Sequence, residues 1–196
     1  VDLGRRERPH GLIVVTGPTG SGKTTTLYSA LQALASPEVN VVTIEDPIEM
    51  VHESFNQIQA DAKTGTSFVD ALRHVLRQDP DVIMVGEIRD GDTALQAVQA
   101  ALTGHLVLTT LHTNDSIGAV ARLGDLGVPG FLVAATLTGV VSQRLVRTVC
   151  PGCARDVVLT ADEVKKLKIT HPEEQAGKLL ARRGTGCAKC RYTGYY

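Results

Sequence analysis

Eight consecutive residues, Gly17-Pro18-Thr19-Gly20-Ser21-Gly22-Lys23-Thr24, constrain this chain more than any other feature. They fit the G-x-x-x-x-G-K-[ST] pattern of a phosphate-binding loop. The flanks suit the motif. Leu12-Ile13-Val14-Val15 reads as a short buried strand, and Thr24 to Ala35 places Leu27, Ala30, Leu31 and Leu34 at helical spacing. In a strand–loop–helix unit of this kind, glycines let the backbone aim its N–H groups at phosphates, and the helix N-terminus adds positive potential. The expected binding residues are Gly17, Pro18, Thr19, Gly20, Ser21, Gly22, Lys23, Thr24 and Thr25. Lys23 is expected to reach the β- and γ-phosphates of ATP, and the Thr24 hydroxyl to ligate Mg²⁺.

The rest of the first two thirds alternates strands with helices. Val39 to Ile44 reads as a second strand, closed by Glu45-Asp46-Pro47. Met50 to Ser67 is polar and mixed, a hairpin or loop. Phe68 to Arg77 returns to helical spacing, Val82 to Val85 is a third buried strand, Thr93 to Leu102 a helix, Leu106-Val107-Leu108 the start of a fourth strand, and Ser116 to Leu126 a fourth helix. This alternation predicts an α/β domain with a mostly parallel sheet, whose site lies at the carboxyl ends of the strands. Four strand ends bring polar groups there: the glycine loop, Glu45-Asp46, Glu87, and Thr109-Thr110 leading to His112.

These groups have distinct expected roles. Glu87 follows an apolar strand, where a carboxylate holds Mg²⁺ directly or through water. Its alternative is a helix-start glutamate paired with Arg89. Glu45 is placed to deprotonate a water for attack on the γ-phosphorus, with Glu49 as the alternative base and Asp46 as a turn cap before Pro47. His112 is placed to donate to a γ-phosphate; His105, at the start of the same strand, reads equally well as structural.

From Cys150 onward the apolar periodicity fades, and Ala161 to Gln175 is charged and expected to be helical. All four cysteines lie here, as Cys150-Pro151-Gly152-Cys153 and Cys187-Ala188-Lys189-Cys190. Two C-x-x-C pairs predict one tetrahedral Zn²⁺ site without an open position, hence structural. The expected division is a nucleotide-binding core over 1–147 and a metal module over 148–196.

Composition narrows the function classes. A net charge of −1, 4% aromatic residues and no tryptophan offer no footprint for nucleic acid and little for stacking on bases. No apolar run nears the length of a membrane span, which predicts a soluble, cytoplasmic chain. The start at Val1 and the end at Tyr196 predict a fragment of a longer protein.

Four segments carry a resemblance. Gly17 to Leu27 (GPTGSGKTTTL), Thr43 to Glu49 (TIEDPIE), Arg77 to Asp90 (RQDPDVIMVGEIRD) and Thr103 to Asp115 (TGHLVLTTLHTND) resemble, in order, four boxes of the type II secretion and type IV pilus motor ATPases. These are Walker A (17–24), the Asp box (43–49), Walker B (core 81–87) and the His box (103–115). The likeness runs from about Pro9 to Cys190 and is closest to the general secretion pathway E and pilus-assembly group, since the retraction ATPase normally lacks the four-cysteine module. The resemblance implies a RecA-like P-loop domain, ATP hydrolysis, and a homo-hexameric ring at the inner membrane. The ring would drive a platform protein and meet an assembly adaptor through N-terminal domains. It implies Glu45 as base, Glu87 in support of Mg²⁺, and His105 and His112 in coupling. Lys23 and His112 join the two glutamates as catalytic candidates. Family arginines that reach the γ-phosphate come largely from the N-terminal part, so the chain is expected to bind ATP and hydrolyse it poorly, by a factor of roughly 10³–10⁵ if an arginine finger is lacking. Arg73, Arg77, Arg144 and Arg147 are open between a subunit contact and a paired surface role. The competing readings are a RecA-like nucleic-acid motor, a nucleotide-regulated scaffold without turnover, and, more remotely, a small-molecule kinase.

Overall fold

The computed structural model describes residues 10–61, 65–170 and 177–196. Of the helix expected over Ala161 to Gln175, residues 171–175 lie outside them, and within them it ends early, at Lys166. The chain divides into two compact units, Val1–Arg144 and Leu145–Tyr196.

The first unit is a six-stranded sheet in the order β3-β2-β4-β5-β1-β6, with every neighbouring pair parallel. Its strands are β1 (Gly11–Thr16), β2 (Val41–Glu45), β3 (Asn56–Gln59), β4 (Val82–Val85), β5 (Leu106–Leu111) and β6 (Leu137–Ser142). Its helices are α1 (Lys23–Leu34), α2 (Phe68–Val75), α3 (Gly91–Leu102), α4 (Ser116–Asp125) and α5 (Gly130–Thr136). The four inner strands are almost wholly buried because helices cover both faces, which is why they read as unbroken apolar runs rather than alternating ones.

Strand alternation sorts the side chains. Val15, Met84 and Leu108 face α1, packing on Leu27, Tyr28 and Leu31. Val14, Ile83, Val85 and Val107 face the other way, onto Leu72 and Val75 of α2, Ala97, Val98 and Ala101 of α3, Leu123 of α4 and Val133 of α5. Each fully buried leucine contributes about 1.5–3 kcal/mol. The alanines of α3 keep that helix close to the sheet.

Two expectations change. The stretch Met50 to Ser67 is not only hairpin or loop: its Asn56–Gln59 segment is β3, paired in parallel with β2 from Val42↔Asn56 to Glu45↔Gln59. An edge strand has one partner and can be polar, so NQIQ carries no apolar signal. The sheet also continues past the fourth strand, since β6 pairs with β1 on the other side.

Helix starts are capped in a pattern that matters for the site. Ser67 caps α2, Asp90 caps α3 and Asp115 caps α4, each accepting from a backbone N–H of the first turn. α1 has Gly22 at its N-cap, no side-chain cap and no acidic residue in its first turn. Its first N–H groups stay available to an outside acceptor.

The second unit is small. β7 (Ala154–Val158) and β8 (Leu180–Gly184) pair antiparallel, α6 (Ala161–Lys166) lies between them in sequence, and a single 3₁₀ turn covers Ala188–Cys190. α6 starts with a capping box between Thr160 and Glu163. No helix among the described residues is long and apolar enough to cross a membrane.

Candidate functional site

The carboxyl ends of β1, β2, β4 and β5 open onto one cleft of about 370 Å³. It is lined by Thr19, Gly20, Gly22, Lys23, Thr24 and Thr25 of the glycine loop and the start of α1, Glu45 at the end of β2 with Asp46 and Glu49 after it, Gly86 and Glu87 after β4, and Thr110 and His112 of the β5 end. Gly17, Pro18 and Ser21 shape the loop without lining the cleft. His105 is elsewhere: it precedes β5, at the opposite end of that strand, and its Nδ1 lies 2.9 Å from the Ala100 carbonyl at the end of α3.

The loop has the form a polyphosphate needs. Gly22 adopts φ 83°, a left-handed conformation that costs a glycine little, and so turns the chain into α1. A Cβ on Gly17 would sit 2.2 Å from the Gln143 carbonyl oxygen, so only glycine fits there. The Lys23 ammonium is buried and donates to the carbonyls of Gly17 at 3.0 Å and Pro18 at 3.1 Å, neutral acceptors that an anionic phosphate would outcompete. The Ser21 hydroxyl is buried without a partner among the described residues. The uncapped α1 N-terminus completes the fit to an anion.

Gln143 is a residue that sequence reasoning missed. Its backbone N–H donates to Thr16 O at 2.8 Å, its Nε2 donates to Ser21 O at 2.6 Å, and its Oε1 accepts from Thr26 Oγ1 at 2.7 Å. It clasps the glycine loop from the end of β6. A lone glutamine after a strand carries no local signal, and β6 itself was not expected.

The acidic groups differ in their surroundings. Glu45 is 3% exposed, and its carboxylate accepts from Tyr28, Thr43 and Gln57. Glu87 is paired: Arg89 donates to its Oε1, and His112 Nε2 lies 3.4 Å from its Oε2. The Arg89 pairing raised as the alternative is therefore present together with the cleft placement, but Glu87 does not start a helix, since α3 begins at Gly91. Arg89 also stands 4.0 Å from Asp46, and Glu87 before all else holds its guanidinium above the usual arginine range. Thr16 Oγ1 bonds Thr113, and Thr110 Oγ1 donates to Gly86 O at 2.8 Å, so the β1, β4 and β5 ends are tied directly. Of the other arginines, Arg73 lies 3.6 Å from Asp70 and Arg144 donates to Asn114 O at 3.0 Å.

In the second unit the cysteines converge. All four Sγ atoms lie within 4.8 Å of one another, with 3.8 Å separating Cys150 from Cys187, Cys153 from Cys190 and Cys187 from Cys190. A tetrahedron with metal–sulfur bonds of about 2.3 Å has edges of about 3.8 Å. Backbone N–H groups of Gly186, Cys187 and Gly194 donate to the sulfurs at 3.2–3.3 Å. Such donors suit thiolates, so the set fits a closed metal site. The cysteines are free rather than disulfide-bonded.

Residues 5–196 match the family model described as type II/IV secretion system protein. The chain is 58% identical over 186 residues to the type IV pilus assembly ATPase TfpB of Acinetobacter baylyi, covering 95% of this chain and 32% of that protein. It is 53% identical over 189 residues to the type II secretion system ATPase E of Vibrio cholerae, covering 96% of this chain and 37% of that protein. The chain thus spans about a third of the length of these relatives. Among solved structures, the pilus retraction motor PilT with bound ADP matches with a TM-score of 0.62 and 46% identity, over 70% of this chain and 43% of that one. The Legionella pneumophila ATPase DotB matches with a TM-score of 0.63 and 36% identity, over 71% of this chain and 42% of that one.

Proposed function

The chain belongs to the type II/IV secretion system protein family, and from that premise we propose that it is the ATP-hydrolysing motor domain of a type II secretion or type IV pilus assembly machine. The observation that carries this reading is the cleft where the uncapped α1 N-terminus, Lys23, Glu45, Glu87 and His112 meet.

Each residue has work that its position permits. Backbone N–H groups from Gly20 to Thr25 bind the β- and γ-phosphates, and Lys23 exchanges its carbonyl partners for phosphate oxygens. Thr24 and Glu87 would hold Mg²⁺, Glu87 directly or through water, and the ion when bound would neutralise charge on the β- and γ-oxygens. Glu45 orients a water and takes its proton as the water oxygen bonds the γ-phosphorus and the bond to the ADP oxygen breaks. His112, beside Glu87, reads whether the γ-phosphate is present.

Beyond the cleft, a homo-hexamer supplies transition-state arginines between subunits. The motor works on the cytoplasmic side against an inner-membrane platform protein, with an adaptor bound through N-terminal domains. Cys150, Cys153, Cys187 and Cys190 hold one structural Zn²⁺. The test is ATP hydrolysis with Glu45→Gln: turnover is lost while ATP binding remains. Retained turnover removes Glu45 from the base role, and loss of ATP binding makes it a structural residue instead.

A further inference from the structure

Tyr28 lies on the glycine-loop helix, not at the strand ends, yet its hydroxyl spans the Glu45 carboxylate. Its oxygen is 2.7 Å from Oε2 and 2.9 Å from Oε1. The side chain is 5% exposed, and its ring meets Phe55 edge-on at 5.8 Å. Around it, Thr43 Oγ1 donates to Glu45 Oε1 at 2.6 Å, and Gln57 Nε2 lies 2.9 Å from the Tyr28 oxygen, 3.2 Å from Glu45 Oε1 and 2.9 Å from Met50 O. Gln57 Oε1 accepts the His52 N–H at 2.6 Å, which turns the amide so that its N–H groups face the cluster.

The Tyr28 oxygen also lies 3.0 Å from Met50 O, but a phenol has one hydrogen and Gln57 can satisfy Met50 O, so the Tyr28 hydrogen goes to the carboxylate, its closer acceptor. Burial first, and then the Glu45 carboxylate, push the Tyr28 hydroxyl above the usual phenol range, so it is a donor throughout the physiological range. An ionised carboxylate has about four lone-pair sites. Tyr28, Thr43 and Gln57 take three of them at most, which leaves one for a water from the cleft that Glu45 lines.

We propose that Tyr28, assisted by Gln57, is a positioning residue that fixes the Glu45 carboxylate toward the attacking water and ties its aim to the position of the glycine-loop helix. This rests on the reading of Glu45 as base. Because α1 begins at the phosphate-binding lysine and carries Tyr28, any displacement of the loop would reach Glu45 along this helix. Three elements, α1, β2 and β3, meet at this one carboxylate. The polar edge strand β3 is explained by what it contributes, since Gln57 is one of its residues.

The test is Tyr28→Phe in the full-length protein, which removes the hydroxyl and keeps the ring packed on Phe55. Single-turnover ATP hydrolysis, ATPγS affinity and melting temperature are measured beside Glu45→Gln and the double variant. The hydrolytic rate falls about tenfold or more, affinity stays within about twofold, and melting changes little. The double variant is no slower than Glu45→Gln, because Tyr28 acts through Glu45. A wild-type rate in Tyr28→Phe beside an inactive Glu45→Gln overturns the positioning role and leaves the base intact. Rate, affinity and melting temperature falling together make Tyr28 a core residue only. An active Glu45→Gln removes the base and this proposal with it.

Discussion

Arg89 shows how a single side chain can be read two ways until its surroundings are known. It pairs with Glu87 and faces Asp46, which fits a structural ion pair, yet the same Glu87 lines the cleft and touches His112. The group is a charge cluster at the point where a phosphate and its metal would add further charge, so any ligand there must rearrange it. Lys23 is simpler, because among the described residues its partners are carbonyls. Hydrogen bonds to charged groups contribute about 1.5–3 kcal/mol each. Lys23→Ala is therefore expected to weaken ATP affinity about 10- to 100-fold, with melting little changed, as read by titration calorimetry. Gln143→Ala removes two neutral hydrogen bonds from the loop. At about 1 kcal/mol each, it is expected to weaken ATP affinity by up to about 30-fold. An unchanged affinity would mean that the loop keeps its shape without the clasp.

Elements are legible in the sequence where they are apolar. β1, β2, β4 and β5 are buried on both faces, so Val, Ile and Leu runs announced them. The carboxyl-end rule places Lys23, Glu45, Glu87 and His112 at one end of the sheet, where they line one cleft. β3 was hidden because an edge strand of Asn, Gln, Ile and Gln has no period to read. α5 and β6 were hidden because a seven-residue helix runs directly into a half-exposed strand. The Tyr28 and Gln143 contacts were invisible for a different reason: both depend on tertiary register between elements distant in sequence. In the second unit, α6 carries a pH prediction. Arg183, then Thr160, holds the Glu163 carboxyl down to about 2. A carboxylate depressed on folding stabilises above its ordinary value of about 4.3 and loses that contribution as pH falls. The melting difference between wild type and Glu163→Gln is expected to be present at neutral pH and to shrink as pH drops from about 4.3 toward about 2. A difference independent of pH would assign the effect to the cap geometry alone.

At the scale of the molecule, the two units draw on different sources of stability. The first buries a sheet between helices. Among its described residues the second has one antiparallel strand pair, one short helix and the cysteine cluster, too little apolar surface for a unit of its size to hold without a staple. Purified chain is expected to carry one zinc per molecule by elemental analysis, and a strong chelator is expected to melt the second unit's signal. A metal-free chain with an unchanged spectrum would make the cysteines a packed thiol cluster. The chain spans only about a third of its relatives' length, so groups completing the site around the glycine loop and the candidate base are proposed to come from other segments and other subunits. The most direct test is steady-state ATP hydrolysis across a wide range of protein concentration, with Lys23→Ala as the blank. The account predicts a slow, Lys23-dependent rate whose specific activity climbs as subunits complete one another's sites. A brisk rate independent of concentration, or one that survives Lys23→Ala, would contradict it.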